Sequence, residues 1–314
     1  MKEVKADIIS GFLGAGKTTF LNKVLPCLKG NNVLIENEFG DIGLDGQILK
    51  GEIPVKEIYA GCICCSLAMD FKTSIIELTE KYDTERIIVE PSGVGRLTDI
   101  IDACEKVNGE GKVNLVIDRV ITIVDLSEFR DYVDSFGAFY LDQIERAHII
   151  FFSHMDKVSV EELQEAVDKI KEINPEGVIF EEDWFSYDGE KLLDILESIE
   201  FNKKDKDAAG ERIVPAHVHF GSFSTARPAD MDMDSIKKAV ETLEKGNSGR
   251  ILRIKGVLKT TEGERIHVDY TPGNLSVIPE KTDISCCITI IGCDLNKESL
   301  RKQFERRYTK WRKL

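Results

Sequence analysis

Eight residues near the amino end, GFLGAGKT at positions 11–18, combine glycines, a lysine and a hydroxyl in the pattern G-x-x-x-x-G-K-[ST]. Gly11, Gly14 and Gly16 free the backbone so that consecutive N–H groups can turn inward around a di- or triphosphate. Lys17 reaches the β and γ phosphates, and Thr18 sets its hydroxyl on Mg²⁺. The chemistry implied is phosphoryl transfer from a nucleoside triphosphate. Lys17 is expected on a solvent-facing loop, where it serves the reaction and not the fold.

Such a loop needs a carboxylate from a neighbouring strand. RIIVEPSGVG, residues 86–95, supplies one: Ile87, Ile88 and Val89 read as a buried strand, and Glu90 emerges at its carboxyl end. That edge is where open α/β sheets bind ligands. Gly93 can offer a backbone N–H to a γ-phosphate. ENEFGD, residues 36–41, follows the apolar run NVLI and reads as a moving switch loop, with Glu36 and Asp41 as candidate metal or switch carboxylates; a solvated acidic turn is the plainer alternative. Base choice falls to HIIFFSHMD, residues 148–156. Asp156 suits the N1 and N2 hydrogens of guanine. Ser153 and His154 stand where P-loop GTPases carry asparagine and lysine, and the imidazole face can stack on a base.

GCICC, residues 61–65, places Cys62, Cys64 and Cys65 between a strand-like run and a helical one. Three thiolates on an irregular loop suit a borderline or soft ion such as Zn²⁺, or Co²⁺. A redox pair with depressed thiol pKa values is the rival, and simple burial is the third reading. The other cysteines, Cys27, Cys104, Cys286, Cys287 and Cys293, read as packing, with Cys286 and Cys287 on opposite faces of one strand. His217 and His219, two apart in a strand-like run, read as a polar strand face or half of a metal site.

These residues need a scaffold that delivers strand ends to one edge. Short β-rich runs at residues 6–10, 32–36, 55–59, 86–90, 119–124, 149–153 and 178–180 read as strands. Amphipathic helical patterns, such as residues 68–81 and 160–173, lie between them. This alternation predicts βαβ units and a mostly parallel, doubly wound α/β sheet. NKKDKDAAGER, from residue 202, breaks the pattern as a charged linker. The expected organisation is a P-loop domain over residues 1–201, a linker over 202–212 and a smaller α+β domain over 213–314. Its elements are strands at 214–220, 251–258, 265–270, 275–278 and 284–291, with helices at 235–245 and from Lys297. The formal charge of −14 disfavours nucleic acid as a partner, and no run of about 18 apolar residues is long enough for a membrane span. Eight cysteines in 314 residues, without a signal region, point to a reducing, cytoplasmic setting.

Taken together, GFLGAGKTT, ENEFG, GCICC, EPSG, the IVD at 123–125 and QIERAHIIFFSHMD resemble the CobW family of GTPases, relatives of the nickel-insertion GTPases of urease and hydrogenase maturation. RILRIKGVL and IIGCDL are similar to that family's C-terminal domain. The resemblance implies a metallochaperone that hydrolyses GTP to GDP and phosphate. Lys17, Glu90 and Gly93 would be catalytic; Gly11, Gly14, Ala15, Gly16, Lys17, Thr18 and Thr19 would bind phosphate; Ser153, His154 and Asp156 would read the base. It also implies that Cys62, Cys64 and Cys65 hold a Zn²⁺ or Co²⁺ ion for a client metalloprotein or metal-cofactor enzyme, which the C-terminal domain contacts. A homo-oligomer stays open. Two departures stand out: Ser153 and His154 alter the base-reading motif, and with five histidines the chain has no histidine-rich loop. Two rival classes remain: an ATP-using P-loop transferase or kinase with a structural zinc, and a nucleotide-regulated, redox-sensing scaffold.

Overall fold

The computed structural model describes residues 3–38, 53–59, 67–110, 113–201, 220–245, 248–281 and 285–306. The chain divides into two compact units. The larger is built on seven strands: β1 (Glu3–Gly11), β2 (Asn32–Glu38), β3 (Val55–Tyr59), β4 (Arg86–Glu90), β5 (Asn114–Asp125), β6 (Ile149–Ser153) and β7 (Val178–Phe180). They run parallel in the order β3-β2-β4-β1-β5-β6-β7. The chain therefore winds outward in both directions from β1, which sits between β4 and β5. That central position opens a crevice at the carboxyl ends of the strands, the place such sheets use for ligands.

Because side chains alternate along a strand, successive residues feed opposite faces. Ile9, Leu34, Ile88 and Ile121 pack with Phe20, Leu21 and Val24 of α1 (Lys17–Val24) and with Leu192 and Leu196 of α7 (Gly189–Ser198). Ile8, Val33, Ile35, Ile87 and Val89 pack with Phe71 and Ile75 of α2 (Leu67–Tyr82) and with Leu97 and Ile100 of α3 (Leu97–Glu105). Both faces being covered explains why these strands read as continuous apolar runs. Helix starts are set locally. Ser159 and Glu162 form a reciprocal capping box at α6 (Val160–Ile173), and the Asp188 carboxylate accepts from the Lys191 N–H at α7.

Nearer the amino ends of the strands the sheet carries charge. Arg86 donates to Asp7 at 2.6 Å and to Asp118 at 3.0 Å, and the β1–β5 register slips beside Asp7. Burial raises the Asp7 pKa even though Arg86 and Arg119 pull it down.

The smaller unit is an antiparallel sheet, β11-β10-β9-β12-β8, made of β8 (Gly221–Thr225), β9 (Arg250–Lys259), β10 (Arg265–Thr271), β11 (Asn274–Pro279) and β12 (Cys287–Cys293). Side chains of α8 (Met233–Lys245) and α9 (Lys297–Phe304) join one apolar cluster with Ile254, Val268, Ile288 and Ile290. Of the strand expected at 214–220, residues 214–219 lie outside the described residues, and Gly221–Thr225, directly after it, forms β8. Cys286 departs from expectation. It precedes β12 and packs with Cys287 and Val257 in one small apolar patch instead of facing away from its neighbour. Cys104 is buried in the core, Cys27 sits in a 3-10 turn after α1, and Cys293 ends β12 half-buried.

Candidate nucleotide site

β1 ends at Gly11, whose φ of 145° and close approach to β5 leave no room for a side chain: a Cβ there would meet the Ile123 carbonyl oxygen at 2.5 Å. The chain turns through Gly14 (φ 79°) and Ala15 to Gly16, the left-handed N-cap of α1 (φ 103°). Lys17, Thr18 and Thr19 open the helix. No side chain caps this helix start, so its first N–H groups face the cradle, where an anion can take them.

Lys17 is only 6% exposed, contrary to the solvent-facing position expected from sequence. Its ammonium folds back on the loop, donating to the carbonyl oxygens of Gly11 at 2.9 Å and Phe12 at 3.1 Å. Phe12 anchors the loop from outside, its ring 4.5 Å from Tyr132 and 5.0 Å from Phe136 of α4 (Phe129–Phe136), and 5.7 Å from Tyr140 of α5 (Ala138–Glu145).

Two strand ends meet this loop. Glu90 closes β4, and its carboxylate accepts from the Thr18 hydroxyl at 3.2 Å. Glu36 is its register partner on β2 and is buried at 2% exposure. Glu36 is thus a strand residue, as the run at 32–36 implies, and the loop read at 36–41 does not begin there, because β2 runs two residues beyond it. Asp41 lies outside the described residues, as do Cys62, Cys64 and Cys65, and His217 and His219. A hydroxyl, Thr18, beside a buried carboxylate, Glu90, at the foot of a phosphate cradle is a hard-oxygen donor set of the kind Mg²⁺ takes.

After Glu90 the chain turns through Pro91, Ser92 and Gly93, with the Gly95 N–H donating to the Ser92 carbonyl at 2.8 Å. Gly93 lies against the phosphate loop so tightly that a Cβ would sit 2.7 Å from the Leu13 nitrogen.

On the other flank, β6 ends at Ser153, fully buried, its hydroxyl 3.5 Å from the Val124 carbonyl oxygen and so turned into the sheet. His154 takes a left-handed backbone (φ 55°), and its Nδ1 lies 2.9 Å from Asp125 Oδ2. Asp125 ends β5, and its other oxygen accepts from the Ser127 N–H at 3.0 Å and hydroxyl at 2.7 Å. Asp156 follows in a 3-10 turn. Sequence reading passed over the closeness of Asp125 to His154, and also missed the loop after β7. There Trp184 donates from its indole to the Phe152 carbonyl at 2.7 Å and stacks on Phe185 at 4.1 Å between ring centroids. Lys23 of α1 ties that loop down through the carbonyls of Phe185 (3.0 Å) and Tyr187 (2.6 Å). The Phe185 ring comes within 3.5 Å of where a Gly16 Cβ would be and is 37% exposed. The aromatic pair W-F was a visible signal in the sequence, but its proximity to Gly16 is purely tertiary.

Comparison with known proteins gives the site a context. The model of the CobW/HypB/UreG nucleotide-binding domain matches residues 5–181, and that of the cobalamin synthesis protein CobW C-terminal domain matches residues 220–307. A protein named zinc chaperone CobW from a Sinorhizobium species is 39% identical over 132 residues, 39% of this chain and 37% of its own length. A protein named zinc-regulated GTPase metalloprotein activator 1 from Dictyostelium discoideum is 26% identical over 302 residues, 81% of this chain and 62% of its own. The crystal structure of the Zn(II)-bound YjiA GTPase from E. coli aligns over 96% of this chain and 98% of its own, at 19% identity and a TM-score of 0.46. This chain thus spans less than two thirds of the length of the Sinorhizobium and Dictyostelium relatives. Among the described residues, no helix is long and apolar enough to cross a membrane.

Proposed function

Because the chain belongs to the CobW/HypB/UreG family, we propose that it hydrolyses GTP and couples the nucleotide state to the handling of a transition metal, Zn²⁺ or Co²⁺, delivered to a client metalloprotein. The observation that carries the reading is the convergence at one edge of the sheet: Thr18 bonded to Glu90, and Gly93 packed on Leu13. The names of the relatives, zinc chaperone and zinc-regulated GTPase, support the same pairing of nucleotide and metal.

In this reading GTP lies along the loop from Gly11 to Thr19, with the helix N–H groups and Gly16 around its phosphates. Lys17 leaves the carbonyls of Gly11 and Phe12 for the β and γ phosphates, exchanging two neutral acceptors for anionic ones. Thr18 and Glu90 would hold Mg²⁺, with Glu36 and Asp41 as further carboxylates, and the bound ion would supply positive charge for the phosphate oxygens. Glu90 also orients the attacking water, and Gly93 donates to the γ-phosphate, so the turn after β4 registers its loss. Asp156 accepts from guanine, with His154 next to Asp125 at the same strand ends, and Phe185 walls the site near Gly16. Cys62, Cys64 and Cys65 bind the cargo ion as thiolates, and the second unit meets the client.

The test has two arms. GTP turnover should exceed ATP turnover, and Asp156→Ala should erase the difference. The dissociation constant for Zn²⁺ should differ between the GDP form and a non-hydrolysable GTP form by roughly 5- to 150-fold, as allosteric pairs do. Equal turnover of both triphosphates would favour the transferase reading, and equal metal constants would leave a GTPase with a zinc-stapled loop.

A further inference from the structure

One helix touches both the phosphate loop and the turn after β4. α5 presents Tyr140 to Phe12, and its next turn presents Asp142 and Gln143 to the segment from Gly93 to Thr98. The Gln143 Nε2 donates to the carbonyl oxygens of Gly93 at 3.2 Å and Gly95 at 3.0 Å. The Asp142 carboxylate accepts from the Thr98 N–H at 3.1 Å and its hydroxyl at 2.5 Å, with the Arg96 guanidinium 3.5 Å away. Both ends of the segment are therefore fastened by two adjacent side chains. The fastening element is itself fixed, since the Thr122 hydroxyl on β5 donates to the Gln143 carbonyl oxygen at 2.7 Å.

We propose that Gln143 is a positioning residue for the γ-phosphate-contacting turn, and that its carboxamide is a latch which discriminates the triphosphate state from the diphosphate state. This rests on Gly93 being the γ-phosphate contact, as proposed above. Gly93 and Gly95 carry no side chain to restrain their peptide planes, so they have the most freedom to lose. Holding both carbonyls on one donor removes that freedom and fixes how Gly93 faces Leu13. The latch is half used. Gln143 is 1% exposed, and among the described residues its Oε1 is buried with no donor while its Nε2 serves two acceptors. A buried acceptor without a donor is costly, so a rearranged turn that offers an N–H to Oε1 gains what the present arrangement lacks. The carboxamide thus has two bonding states for one turn, and the γ-phosphate at Gly93 biases them. Asp142 keeps the far end of the segment in place while the near end changes.

The experiment compares wild type, Gln143→Met and Gln143→Glu for binding of GDP and of guanosine 5′-[β,γ-imido]triphosphate with Mg²⁺, together with kcat, KM and Tm. Methionine keeps the length without the donors; glutamate sets an acceptor against two carbonyls. The expected result is a loss of about tenfold or more in affinity for the imidotriphosphate in both variants, with GDP affinity within about threefold and kcat lowered more than KM is raised. Asp142→Asn, which keeps size and one acceptor, should give an intermediate loss and guards against variants that fail to fold. If GDP and imidotriphosphate affinities fall together with Tm, Gln143 is structural and the proposal is overturned. If wild type prefers the imidotriphosphate and Gln143→Met prefers it equally, the latch alone fails. If wild type shows no dependence on the γ-phosphate, or Lys17→Ala retains turnover, the underlying assignment of the phosphate site fails instead.

Discussion

Replacing Gly93 with alanine tests the contact on which the site depends. The added methyl would lie 2.7 Å from the Leu13 nitrogen, 2.9 Å from its Cδ2 and 3.0 Å from its Cα. Ordinary contact begins at 3.4 Å, so the turn and the phosphate loop must separate by about 0.7 Å, and two of the three atoms are main chain that cannot rotate away. An overpacked contact of this kind costs about 1–3 kcal/mol, which for a domain of this size lowers Tm by about 2–4 °C per kcal/mol. The functional penalty should be larger, since a displacement approaching 1 Å in a reacting geometry can cost about 10²-fold in rate. The assay is single-turnover GTP hydrolysis beside GDP binding and a thermal melt without nucleotide. The expected pattern is a rate down by about 10- to 100-fold, GDP affinity changed by less than about threefold, and a Tm lower by several degrees. If a Gly93→Ala protein hydrolyses GTP at the wild-type rate and melts normally, the turn is not pressed on the phosphate loop and Gly93 is not its γ-phosphate contact.

Other outcomes follow from the same geometry. Lys17→Ala should cut turnover by about 10²–10³-fold or more through lost charge stabilisation. It should also lower the nucleotide-free Tm by a few degrees, because the ammonium braces the carbonyls of Gly11 and Phe12; an unchanged melt would mean that those bonds only offset the burial of the charge. Cys104 gives a pH signature: burial pushes its thiol from 9.0 up to about 12, so the folded state keeps a proton that the unfolded state releases, and stability falls as pH rises from about 9 toward 12. At pH 10 that loss is about 1.4 kcal/mol, and urea melts at pH 7.5 and 10 should show Cys104→Ala losing less than wild type by about this amount; parallel losses would refute it.

Local chemistry made much of this protein readable from its residues alone. The loop at 11–18 is a local motif whose glycines, lysine and threonine act through their own backbone and near neighbours, so its cradle was legible before any packing was known. The same holds for strands such as Arg86–Glu90 and Ile149–Ser153, whose bounds agree with the runs read in sequence because burial on both faces leaves a nearly unbroken apolar signal. The amphipathic period made α6 legible in the same way, and the structure adds the capping box of Ser159 and Glu162 that starts it. Where distant residues meet is set by the folded chain. Thr18 and Glu90 are 72 residues apart, and Gln143 is 50 from Gly93, so no periodicity links them; parallel pairing in the order β4-β1-β5 brings their strands and helix together. Lys17 was misjudged for the same reason, since a lysine in a glycine-rich loop reads as exposed until the loop closes over it. Glu36 stood in two overlapping readings, the strand at 32–36 and the acidic loop at 36–41; its register with Glu57 and Glu90 puts it in β2, between β3 and β4, where backbone pairing on both sides overrides the low strand propensity of an acidic residue.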